Sequence, residues 1–161
     1  MKTVISLQHI AGVHPHQFPD KADFDARDEC LDAIRAWKHF GGLTFEKAYT
    51  VFCKRPDIYQ EDFMFMGWKA FGYYFPIIEK YLYEVELQEE GEDSNAWILA
   101  RAILGQMKLP ELKQLGDLRE RVLRLCLHVK SDLHQYASEP KEQMEIGEAW
   151  AELESFLEAN A

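Results

Sequence analysis

Nine aromatic side chains, Phe63, Phe65, Trp68, Phe71, Tyr73, Tyr74, Phe75, Tyr81 and Tyr83, fall within residues 63–83, over two-fifths of all the Phe, Trp and Tyr in a chain of 161 residues. Burying such a side chain is worth about 1.5–3 kcal/mol, so this segment must lie at the centre of whatever forms. Trp68, Phe71, Phe75, Ile78, Leu82 and Val85 are three or four residues apart, the spacing of one helical face. Pro76 lacks an amide hydrogen and crowds the carbonyl four residues back, at Gly72. The spacing therefore predicts either a kinked helix or two helices meeting at Pro76.

The other periodicities are helical as well. From Asp23, the residues Phe24, Arg27, Cys30, Leu31, Ile34 and Trp37 predict one helix that ends at Gly41-Gly42. Thr44 predicts the cap of a second, carrying Phe45, Ala48, Tyr49 and Phe52 and stopping before Pro56. Asp93-Ser94 is expected to cap a helix bearing Trp97, Ala100, Arg101, Leu104 and Met107. Leu118, Val122, Leu125, Val129, Leu133 and Tyr136 mark a long buried helix, and Pro140 opens a last one with the stripe Ile146, Trp150, Leu153 and Leu157. The expected fold class is all-α: a single compact domain over residues 1–161, of about six helices, with 66–89 and 117–136 against each other in the core. Residues 1–20 read as an extended or partly mobile N-terminal segment with a short strand at Val4–Leu7.

Charge narrows the partners. Against 18 basic residues stand 28 acidic ones, a formal net charge of −10, which repels nucleic-acid backbones and anionic membranes. No apolar run approaches the roughly 20 residues of a membrane span. The three cysteines, Cys30, Cys53 and Cys126, have no CxxC spacing and fit reduced thiols and a cytoplasmic location. Val4-Ile5-Ser6-Leu7 is interrupted by Gln8 and His9 before a signal-like apolar region develops, with the same implication.

The negative charge is unevenly placed. Residues 1–60 carry eight basic and eight acidic side chains, whereas 61–116 and 117–161 each carry five and ten. Glu84, Glu86, Glu89, Glu90, Glu92 and Asp93 crowd around Gly91, and the helix macrodipole favours those at the start of the next helix but not those at the end of the last. Glu145, Glu148 and Glu152 form a second acidic face, on the side of the last helix away from its apolar stripe. A solvated surface that maintains solubility is the plain reading of such charge. The sharper reading is a surface that binds a protein partner with a basic face.

Chemistry has fewer footholds. His14 and His16 would point to one side of an extended segment and chelate a metal, but His9 falls on the other side and leaves the set incomplete. His128 and Asp132 are i, i+4 on the predicted long helix, with Tyr136 continuing the row, the placement of a carboxylate-oriented acid–base pair. Cys126 is two residues from His128 and therefore on another side of that helix. Asp25, Asp28, Glu29 and Asp32 read as a helix-start cluster, with Arg35 available to pair with Asp32. No phosphate-binding glycine loop, GxSxG, HExxH or EF-hand loop occurs, so no catalytic residue, metal or cofactor is assigned.

The run Phe63-Met64-Phe65-Met66-Gly67-Trp68-Lys69-Ala70-Phe71-Gly72-Tyr73-Tyr74-Phe75-Pro76, continuing to Tyr81-Leu82, resembles the aromatic AF-x-YY-x-P segment of small uncharacterised bacterial proteins. Some of these are similar to immunity proteins encoded beside polymorphic toxins. The resemblance implies a compact cytosolic binder rather than an enzyme. The expectation is therefore a non-enzymatic acidic helical protein that neutralises a basic partner through Glu84–Asp93 and Glu145–Glu152, with its oligomeric state open. The alternative is a small enzyme or metal-dependent protein built on His128 with Asp132, or on His14 with His16.

Overall fold

The aromatic run forms one helix that passes through Pro76 without interruption. A computed structural model describes residues 18–25 and 30–161 of the chain. In order these form α1 (Lys21–Phe24), α2 (Leu31–Phe40), α3 (Phe45–Lys54), α4 (Pro56–Tyr59), α5 (Asp62–Phe65), α6 (Trp68–Glu84), α7 (Trp97–Met107), α8 (Leu118–Ser131) and α9 (Pro140–Ala159), with 3-10 turns at Pro110–Gln114 and Leu133–Gln135. Six of these helices have ten residues or more. No strand occurs among the described residues, and the fold is all-α as the periodicities predict. No described helix is long and apolar enough to cross a membrane.

Helix α6 is the centre of the core. Phe71, Tyr74, Phe75, Ile77, Ile78 and Leu82 are fully buried in it. Losing one hydrogen bond and straining the turn at Pro76 costs about 3 kcal/mol. Each of those side chains returns about 1.5–3 kcal/mol on burial, so packing keeps the helix intact. Helix α3 lies on one side of α6 and α8 on another, as expected for 66–89 and 117–136, while α9 packs on α7 and α8. The stripe Ile146, Trp150, Leu153 and Leu157 is buried throughout. The α3 cap is also as read, with Thr44 Oγ1 accepting from the Lys47 amide at 3.3 Å.

Two expected boundaries are corrected. The helix predicted from Asp23 to Trp37 is broken: α1 ends at Phe24 and α2 begins at Leu31. Asp20 and Asp23 cap each other's amides reciprocally at 2.9 Å, the Phe24 carbonyl accepts from the Gly67 amide, and Asp25 takes the Cys30 amide. These bonds compete with helix continuation. Leu31, placed in the buried stripe by its spacing, is exposed, and Ala33, Ala36 and Phe40 face the core instead. The long helix expected to reach Tyr136 stops at Ser131, where Asp132 (φ −148°, ψ 80°) leaves it. The chain turns there so that Tyr136 Oη can donate to the Leu82 carbonyl at 2.7 Å and Gln135 Nε2 to that of Val85 at 3.1 Å, satisfying the end of α6. The strand at Val4–Leu7, the histidines His9, His14 and His16, and Arg27, Asp28 and Glu29 lie outside the described residues.

Two glycines of this core differ in what surrounds them. A Cβ on Gly67 would run into the backbone carbonyl oxygen of Asp23, whereas one on Gly72 would meet the flexible end of Leu115, 2.7 Å from its Cδ1. Gly67→Ala is expected to cost about 1–3 kcal/mol through overpacking against backbone. Gly72→Ala should stay within about 1 kcal/mol of wild type, because Leu115 can turn aside and alanine is favoured in a helix interior by about that amount. Phe75→Ala should cost about 3–5 kcal/mol, and Trp68→Ala less, since Trp68 is only half-buried. Urea unfolding of the four variants checks this order; a Gly72→Ala loss as large as that of Gly67→Ala would contradict it.

Candidate functional site

The two acidic segments, separate in sequence, meet where residues 92–94 lie beside 136–138. After α6 the chain turns through Glu86–Gly91, with Gly91 at φ +83°. It is then pinned to the residues that lead into α9. Ser94 N donates to the Tyr136 carbonyl at 2.8 Å, Ser138 N donates to that of Glu92 at 3.1 Å, and Asp93 and Ala137 form an isolated antiparallel bridge. Trp150 Nε1 donates to the Ala96 carbonyl at 3.1 Å and fixes α9 against the start of α7. Burial raises the Asp93 carboxyl above the ordinary aspartate range; the Asn95 amide opposes this, and Glu142 and Glu145 of α9 add to the rise. Asp93 therefore lies in the field of the second acidic segment.

The carboxylates of this side divide into two kinds. Glu92 Oε2 accepts from the backbone amides of Gln88 and Glu89, and Asp93 Oδ1 from that of Asn95, so both hold the loop in shape. Glu84 takes Tyr49 Oη at 3.4 Å and lies 3.9 Å from Lys80 Nζ. Glu86, Glu89 and Glu90 are exposed. On α9, Glu145, Glu148, Ala149 and Glu152 line a groove of about 360 Å³ whose α7 side is Trp97 and Arg101. The cap expected from Asp93-Ser94 is a turn instead: no side chain caps α7 at Ala96, while Ser94 Oγ accepts from the Ala96 amide at 3.3 Å. Arg101, expected on this helix with Trp97, is exposed and sits over the Trp97 ring at 4.7 Å.

The histidine pair read from the long helix is not brought together. His128 lies 4.5 Å from the ring centre of Tyr83 and 6.5 Å from that of Tyr136, with its Nε2 buried and unpartnered. Asp132 is exposed beyond the end of α8, and no hydrogen bond or ion pair joins it to His128. Cys126 is buried, which pushes its thiol up to about 12, while Cys30 and Cys53 are exposed. Asp32 does lie near Arg35, at 3.7 Å. Among the described residues no group of three or more His, Cys, Asp and Glu side chains is placed to hold a metal ion.

A different pair escapes the sequence reading. His39 Nδ1 lies 2.6 Å from Oδ2 of Asp62, whose side chain is 1% exposed, and Arg35 Nε is 3.6 Å from the other oxygen. The Tyr59 ring meets His39 edge-on at 4.9 Å. The two partners are 23 residues apart on different helices, so no local spacing links them. The one sequence cue is a carboxylate at the entrance to the most apolar stretch of the chain. An imidazole oriented by a buried carboxylate has acid–base capacity. Among the described residues no Ser, Thr or Cys side chain is hydrogen-bonded to His39, and the pair ties α2 to α5.

No family model matches the chain, and neither a curated protein nor a solved structure matches it.

Burial raises the Asp62 carboxyl above the ordinary aspartate range, against the opposing pull of His39 and Arg35. A carboxyl whose native value exceeds its unfolded value binds its proton more tightly in the folded chain. Its contribution to stability is then largest when protonated and falls as pH rises between the two values. Asp62→Asn stays neutral throughout. The unfolding free energy of wild type minus that of Asp62→Asn is therefore expected to fall as pH is raised from about 4. Urea melts of both proteins check this, and a difference that grows with pH would put the His39 ion pair, not burial, in control.

Proposed function

We propose that this chain is a non-enzymatic binding protein whose acidic side, built from Glu86–Glu90 and from Glu145, Glu148 and Glu152, engages a protein partner with a basic surface. The observation that carries the reading is the meeting of the two acidic segments, through the hydrogen bonds between 92–94 and 136–138 and the field of Glu145 on Asp93. Like charges gathered in this way repel one another; burial is the main cause of the raised Asp93 carboxyl, and Glu142 and Glu145 add to it. Six of the carboxylates, Glu86, Glu89, Glu90, Glu145, Glu148 and Glu152, make no side-chain hydrogen bond or ion pair among the described residues, so their charge is available to a partner. The resemblance of residues 63–82 to immunity-associated proteins supports the narrower form: a cytoplasmic protein that neutralises a basic toxin by covering it.

The test replaces charge where the loop does not need it. Glu92 and Asp93 hold backbone amides and are left in place. Glu86→Lys, Glu89→Lys and Glu90→Lys together should leave stability within about 0.5 kcal/mol per exposed site. Complementary charge acts mainly on the association rate and is screened over roughly 8 Å at physiological salt. Association with a basic partner recovered by affinity capture is therefore expected to slow about tenfold or more in the triple variant, and to slow in wild type as salt rises. Equal rates for both proteins at both ionic strengths would sink the proposal. The immunity form adds that the partner arrests growth when produced alone and does not when the chain is co-produced.

A further inference from the structure

The groove between α7 and α9 holds charges that do not close on one another. Several opposite charges among the described residues do pair: Arg55 with Asp57, Lys80 with Glu84, Arg121 with Glu79 and Lys130 with Glu154. In the groove, Arg101 faces three carboxylates, Glu145, Glu148 and Glu152, and none of them pairs with it within 4.0 Å. Its guanidinium rests on the Trp97 indole instead, 4.7 Å from the ring centre.

We infer that this groove receives one arginine side chain of a partner, with Arg101 as the internal occupant that the incoming guanidinium displaces from Trp97. The inference rests on the acidic side being the binding surface and names the side chain that surface reads. Three features select arginine. The indole face already carries a guanidinium, which shows that its geometry accepts one. A guanidinium is planar and weakly hydrated, so it stacks on an indole more readily than an ammonium and donates to two carboxylates at once. Glu148 and Glu152 are one helical turn apart, as a bridging fork requires. The volume, about 360 Å³, is near the lower end of the roughly 300–1,000 Å³ of ligand pockets and suits a side chain. Arg101 competes with that guest twice, by covering the ring and by repelling a second positive charge.

The experiment titrates the intact chain with the blocked peptide acetyl-Gly-Arg-Gly-Arg-Gly-amide, following indole N–H signals by NMR and assigning Trp97 with Trp97→Phe. Matching peptides carry lysine, or the uncharged isostere citrulline, in place of arginine. The Trp97 signal is expected to shift saturably with the arginine peptide, less with lysine and least with citrulline. Arg101→Gln should tighten the arginine peptide by about two- to fivefold, the range of one exposed cation–π contact. Glu148→Gln with Glu152→Gln should weaken it by at least about as much. Citrulline binding as well as arginine, or Arg101→Gln leaving affinity unchanged or lower, would overturn the inference. An arginine peptide that leaves the Trp97 signal unmoved would also overturn it while leaving the acidic-side reading intact. A Trp97 response that survives when the triple lysine variant has no effect on a basic partner would uphold the groove and remove Glu86–Glu90 from the binding surface.

Discussion

The demand that α6 be enclosed on nearly every side organises the molecule, because a helix so rich in aromatics brings polar groups into the core along with its rings. Each must find a partner there, since an unpaired buried polar group costs about 1–3 kcal/mol. Tyr74 Oη donates to the carbonyls of Phe40 and Leu43, at 2.7 and 3.0 Å, and so anchors the end of α2. Glu79 pairs with Arg121 of α8, whose guanidinium also lies 5.1 Å from the Phe75 ring centre. At the other end, the last carbonyls of α6 are taken by Gln135 and Tyr136.

That last requirement also builds the candidate site. To cap α6, the segment after α8 must turn back across it, and this lays residues 136–138 beside 92–94. Helix α9 then starts next to the acidic loop, and Trp150 holds it against α7 through the Ala96 carbonyl. The groove lined by Trp97, Arg101 and the three glutamates follows from this seating. A surface for recognition thus arises from the way one buried helix end finds its hydrogen bonds. Surface charge reversals should leave this frame untouched, because none of Glu86, Glu89 and Glu90 takes part in it through its side chain.

Helix type, the central place of 63–85 and the inward stripe of α9 were legible in the sequence, because a helical face repeats locally and burial follows the repeat. The acidic segments were legible as segments for the same reason. Spacing misled where side chains competed with the helix: Asp20, Asp23 and Asp25 hold backbone amides and break the helix expected through Arg27. It misled again at Asp132, where capping α6 outweighed one more turn of α8. His128 and Asp132 were separated by that same event.

What only the tertiary structure decided are the pairings between distant residues: His39 with Asp62, Asp93 beside Glu142 and Glu145, and Trp97 with Arg101 facing α9. Each depends on hydrogen bonds or packing between elements tens of residues apart, and a local period carries no information about which distant carbonyl a side chain will meet. The sequence by itself determined that the chain is helical, that its aromatic segment is buried and that its negative charge lies beyond residue 60. The tertiary structure decided that the loop around Gly91 meets the start of the last helix, because Gln135 and Tyr136, which lead into α9, take the carbonyls at the end of α6.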